Sequence, residues 1–184
     1  MTKAKTISGP AAERTHLRAI RFWLVVVMAG LVVSGLTAFP LQAELRLLLC
    51  LLQTAPLRPI AEFTRLLPWI ARVHEAVSNT NRLYPFVGYG TDWLGFAHFV
   101  IASAFLGPYR HPVRNKWVIT FGLISCAAVI PLALIAGQIR DIPIAWRMID
   151  CSFGIFGAVP LLLCRRHIAA LERLEMPEGR SSIP

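Results

Sequence analysis

Four polar side chains lie in or at the edge of otherwise apolar stretches: Asp92, His98, Arg147 and Asp150. An imidazole beside a carboxylate can take up or relay a proton near neutral pH. A guanidinium offers a planar clamp for a carboxylate or phosphate. Arg147 and Asp150 are three apart, which puts them on one helix face and lets them pair. His98 and Asp150 fall at similar depth, each about 9–10 Å below the outer end of its segment at 1.5 Å per residue. One expectation is therefore a shared polar pocket open to the outside. His98 and Asp150 are its candidate catalytic pair, and Arg147 and Asp92 its candidate ligand-binding residues. Gln138, Arg140 and Asp141 would stand near its mouth. The competing expectation is structural. Asp92 would then start a helix, Arg147 and Asp150 would pair within the fold, and His98 would bond a neighbouring helix. Asp92 and His98 are about 120° apart around a helix, so they share a target only if the chain bends near Gly90 or Gly95.

No familiar catalytic signature accompanies these residues. The chain has no nucleophilic serine motif, H-E-x-x-H, Walker loop or G-x-G-x-x-G. Whether it is an enzyme is left open on this evidence. Cys50, Cys126, Cys151 and Cys164 form no C-x-x-C, so no metal site and no dithiol chemistry is expected. Cys50 and Cys151 fall toward the outer side, where a bridge could form. Haem would need two facing axial ligands, and His98 with Met148 is the one pair available within spans. The expected cofactor is none.

These side chains must be held by a strongly apolar scaffold. Of 184 residues, 55% are hydrophobic and only 16% charged. A soluble domain carries about 45–50% apolar and about 25% charged residues. Mean hydropathy is +0.57. That excludes a disordered chain, a disulfide-stapled domain and an ordinary soluble enzyme.

Four segments approach the roughly 20 residues of helix a bilayer needs. They are 22–39, 91–107, 117–137 and 142–164. The first resembles a signal peptide at its basic start, but its apolar run is too long and no A-x-A site follows. The expected fold is therefore all-α: an integral membrane four-helix bundle with an amphipathic helical insertion between spans one and two. Small residues four apart, Gly30/Ser34, Ser103/Gly107, Gly122/Cys126 and Gly154/Ala158, would let its helices approach closely.

Basic residues orient the spans. Twelve of 19 fall in the tails 1–21 and 165–184 and in the loop between spans two and three. Both termini are thus expected in the cytoplasm. Trp23, Trp93, Trp117 and Trp146 near span ends fit interfacial levels. The +9 charge is then a membrane address. Nucleic acid is not an expected partner, because no basic surface with interleaved aromatics stands outside the spans.

Residues 41–90 form the insertion. Ala43–Gln53 is very apolar, Pro56 and Pro59 interrupt it, and a second helix should start near Pro59 and restart at Pro68. Leu66, Ile70, Val73 and Val77 then make an apolar stripe at helical spacing. This segment either lies on the outer leaflet and caps the bundle, or docks a partner.

Tyr84–Ala102, Gly107–Ile119 and Ile142–Arg166 together resemble a group of small, uncharacterised bacterial four-span membrane proteins. The resemblance covers most of residues 20–172. It implies a bacterial inner-membrane location and brings no activity or catalytic residues. The functional expectation is non-enzymatic binding of a small ligand, lipid or partner protein on the outward side, with the bilayer itself and a protein partner or second copy as partners. The alternative is a membrane enzyme or proton-coupled carrier using the His/Asp/Arg pocket.

Overall fold

A computed structural model describes residues 9–175, and every described element is helical. The order is α1 (Gly9–Ala38), α2 (Leu41–Leu52), α3 (Arg58–Phe63), α4 (Leu66–Leu83), a 3-10 turn (Pro85–Gly88), α5 (Tyr89–Ala104), α6 (Leu106–Arg110), α7 (Lys116–Ile139) and α8 (Ile144–Glu175). Lys3, Lys5, Arg180 and the Gly/Ser/Pro end fall outside the described residues.

Helices α1, α7 and α8 are long and apolar enough to cross a membrane. The second expected span is divided. Its helix α5 has 16 residues and stops at Phe105, after which α6 resumes at Leu106. The stop fits the sequence, since Pro108 has no N–H to give the Ala104 carbonyl four residues back and its ring crowds that carbonyl. The fourth segment is longer than its apolar stretch. Helix α8 runs on through Arg165 to Glu175, because Arg, Glu, Ala and Leu sustain helix outside an apolar phase.

The long helices form an open row rather than a closed bundle. Helix α1 packs on α5 and on α8, and α8 packs on α7. Of the long helices, α5 has its packing partner in α1 alone. The row is tied at one end, where Phe105 meets α7 and the short α6 touches α1 and α7. The main core sits there: Ile20, Leu24, Phe105, Val118, Ile119, Leu161, Cys164, Ile168 and Leu171. Lys116 Nζ adds a 2.6 Å bond to Glu172 Oε1 between α7 and α8. Arg21 stands 5.8 Å from the Tyr109 ring centroid, within reach of a cation–π attraction.

Glycines set two close helix approaches. Gly154 of α8 lies on the Cys126 carbonyl of α7. Gly35 of α1 and Gly95 of α5 face each other reciprocally: a Cβ on either would stand 2.8 Å from the other's carbonyl oxygen. Gly122 and Gly154 therefore work as their spacing suggests. Gly30 faces open space, and Gly107 packs on the Asn115 side chain rather than on another span. The four cysteines are free: Cys50 is exposed on α2, while Cys151 is buried near the Ile130 carbonyl.

The insertion follows its prolines and its stripe. Pro59 sits in the first turn of α3. Arg65 adopts a left-handed conformation (φ 59°) and separates α3 from α4. On α4, Ile70 is buried and Leu66, Val73 and Val77 are half-buried, so the stripe is the packed face. Helices α2 and α4 pack together, with Gln42 Nε2 donating to Ser78 Oγ at 3.1 Å and Asn81 Nδ2 to Gln42 Oε1 at 3.4 Å.

Candidate functional site

The insertion and the start of α5 enclose an open cleft of about 1240 Å³. Its walls come from four places in the chain: the end of α1 (Phe39), α2 (Gln42, Arg46), α4 (His74, Val77, Asn81) and the stretch from Pro85 to Asp92. The Gln42–Ser78 and Gln42–Asn81 bonds hold the α2–α4 side. The 3-10 turn holds the other, with Thr91 Oγ1 donating to the Gly88 carbonyl at 2.7 Å. Phe39, Phe86, Val87 and Tyr89 give apolar wall, and all four are exposed. Arg46, His74 and Asp92 supply its titratable groups. Asp92 occupies the first turn of α5, where the helix dipole favours a negative charge.

The structure separates the four candidate residues. Asp92 lines the cleft. His98 lies on α5 against Gly35 of α1. Its Nδ1 is 2.7 Å from the Leu94 carbonyl of its own helix. A carbonyl only accepts, so Nδ1 carries the proton. The expected bond to a neighbouring helix is thus replaced by one within α5.

Arg147 clamps the α7–α8 turn. Its Nε donates to the Ile142 carbonyl at 2.9 Å and its Nη1 to Gln138 Oε1 at 2.8 Å. Its methylenes lie on Gly137, where a Cβ would stand only 2.5 Å from Cδ. Asp141, with φ 54°, lets the chain reverse here. No ion pair joins Arg147 to Asp150. Asp150 is half-buried on α8, which packs on α1 and α7 and not appreciably on α5. His98 on α5 therefore does not share a pocket with Arg147 and Asp150 on α8. Rise along a helix follows from residue number alone. Which helices are neighbours is a property of packing.

Sequence reasoning passed over Arg46 and His74 as site residues. Neither lies in a motif, and only the folding back of α4 on α2 puts them in one cleft. It also passed over a contact between the start of α1 and the end of α8. His16 Nδ1 and His167 Nδ1 are 2.9 Å apart, with ring centroids at 5.2 Å. These residues precede the apolar stretch beginning at Phe22 and follow the one ending at Cys164. One ring must donate and the other accept, so the bond holds one proton between them. Burial and the neighbouring His16 push the His167 pKa below its usual value.

The sign of the pH effect follows. The unfolded chain binds the His167 proton at higher pH than the folded chain does, so this contribution is intact above about 6.5 and is lost as pH falls below it. Thermal unfolding in detergent at pH 7.5 and 5.0 should show a lower midpoint at pH 5.0. His167→Asn should flatten that difference. An unchanged slope in the variant would remove the pair as its cause.

Fold and site together define a class: an all-helical protein with three helices suited to crossing a membrane and a polar–apolar cleft beside them. Comparison with known proteins narrows this no further, since no protein family, curated protein or solved structure matches the chain.

Proposed function

We propose that this is a four-span membrane protein of the bacterial inner membrane that binds a small ligand, lipid or partner in its outward cleft without chemical conversion. The observation that carries the reading is the cleft itself. It is concave, mixes apolar walls with a few polar groups, and is built from four separate stretches of chain, which are common features of a binding site. Its volume is above the roughly 300–1,000 Å³ of common ligand pockets, which suits a large or flexible occupant.

The additional crossing in this reading is the second apolar segment, 91–107, carried by α5 and the start of α6 with Phe105 alone between the two helices. At about 1.5 Å per residue this run approaches the thickness of a hydrocarbon core. The Lys/Arg distribution then favours cytoplasmic termini and an outward cleft.

Two measurements test this. Alkaline phosphatase fused after Asn81 should be active, and after Arg173 silent; the reverse pattern overturns the orientation. Purification in mild detergent should yield the protein with a bound lipid, ligand or partner. Ala76→Trp, placed in the cleft wall, should lose that occupant while remaining monodisperse. A wild-type protein that carries nothing would defeat the binding reading.

A further inference from the structure

The cleft holds charges of both signs that the fold leaves unpaired. Among the described residues the ion pairs are Arg58–Glu62 and Lys116–Glu172. Arg46 and Asp92 thus share the cleft without neutralising each other. Arg46 is exposed on α2, and His74 is half-buried on α4. Asp92 is half-buried on the far wall, at the start of α5.

A ligand that covers these groups removes them from water, and an uncompensated charge is costly there. An anion would satisfy Arg46 and leave Asp92 unmatched. A cation would do the reverse. A zwitterion satisfies both. The guanidinium fits a phosphate in a bidentate fork, with imidazole as a further donor. The carboxylate of Asp92 accepts hydrogen bonds, so it favours a primary ammonium over a quaternary one, which has no N–H to give.

The walls say that this zwitterion carries apolar chains. Phe39 closes the outer end of the apolar stretch of α1 and is part of the cleft. Phe86 and Tyr89 are 74% and 61% exposed beside it. Exposed aromatics at this level match the belt where membrane proteins meet headgroups. The cleft is therefore continuous with the surface that the spans present to lipid.

We infer that the outward cleft is a headgroup site for a phospholipid bearing both a phosphate and a primary ammonium, with Arg46 and His74 on the phosphate and Asp92 on the ammonium. The inference rests on the reading of the cleft as a binding site and specifies its occupant.

The test uses the full chain in mild detergent, read by native mass spectrometry with short-chain phosphatidylethanolamine, phosphatidylcholine and phosphatidylglycerol, and with free phosphoethanolamine. Phosphatidylethanolamine should bind about tenfold more tightly than the other two lipids, the scale of one charge-assisted hydrogen bond. Asp92→Asn, nearly isosteric and still compatible with a helix start, should erase that preference while keeping residual lipid binding. Arg46→Gln should weaken all three lipids. Equal binding of the three, unchanged by Asp92→Asn, overturns the inference and leaves the cleft reading standing. Competition by free phosphoethanolamine at equal concentration overturns the lipid assignment in favour of a soluble zwitterion. Binding that Ala76→Trp and Arg46→Gln both leave untouched shows lipid held elsewhere and overturns the cleft reading with it.

Discussion

Gly154→Val is expected to leave little folded protein in the membrane. Helix α8 rests on α7 at this residue, and a Cβ there would collide with the carbonyl oxygen of Cys126, with Ile130 Cγ1 a further 3.7 Å contact. The obstacle is backbone, so no side-chain rotation relieves it. Overpacking a close-packed site costs about 1–3 kcal/mol, and more where backbone must shift. Separating α7 from α8 would also loosen the neighbouring contacts of Gly122 with Leu161 and of Gly157 with Cys126 Sγ. In addition, Pro131 removes one backbone bond from α7 close by, so that helix has less of its own cohesion to spare. Accumulation in membranes and the thermal midpoint of purified protein are the readouts. Gly30→Val is the matched control, because nothing lies within 4 Å of a Cβ there. A Gly154→Val protein as abundant and as stable as the Gly30→Val control would mean that the α7–α8 approach is not as close as described.

Those two glycines also mark what the sequence could and could not say. Small-x-x-x-small spacing puts two small residues on one helix face, but it does not say which face meets a partner. Gly154 and Gly30 satisfy the pattern equally, yet one is a contact and the other looks into open space. Gly35 and Gly95 belong to none of the spaced pairs singled out and form the closest approach of α1 and α5.

The insertion was more legible. Pro59 and the Leu66/Ile70/Val73/Val77 stripe fix a helix start and a packed face through local geometry alone. Segment ends were read less well, because apolarity stops at Cys164 while helix propensity does not. The site was least legible. Arg46, His74 and Asp92 are 28 and 18 residues apart along the chain; the α2–α4 pairing brings the first two together, and the 3-10 turn between α4 and α5 adds Asp92. Arg147 and Asp150 have the spacing of an intrahelical pair, but Gln138 at the end of α7 and the Ile142 carbonyl in the turn after it take the guanidinium instead. Contacts made across a turn outcompete a pairing that sequence spacing alone would favour.

Gly35→Val should have a different signature from Gly154→Val, since it strikes the seat of α5, whose one long partner is α1. A Cβ at Gly35 would stand 2.8 Å from the Gly95 carbonyl oxygen, 2.8 Å from the Phe99 ring and 3.1 Å from His98 Cβ. Phe99 could turn aside, but the Gly95 carbonyl could not. The main core of α1, α7 and α8 around Ile20, Leu24, Ile119 and Leu161 lies far along α1 from this crossing, about 17 Å from Leu24 at 1.5 Å per residue. The variant should therefore accumulate, with a destabilisation of about 1–3 kcal/mol, and lose the seating of α5. Because α5 carries Asp92 into the cleft wall, ligand retention should fall with it. Limited proteolysis should cut the Pro85–Tyr89 stretch faster than in the parent protein. Combining Gly35→Val with Gly95→Val should add little, because the two substitutions break one interface and such neighbours are not additive. Full ligand retention with unchanged proteolysis in Gly35→Val would show that α5 does not depend on this crossing. Loss of the whole protein would show that α5 is integral to the core rather than docked on α1.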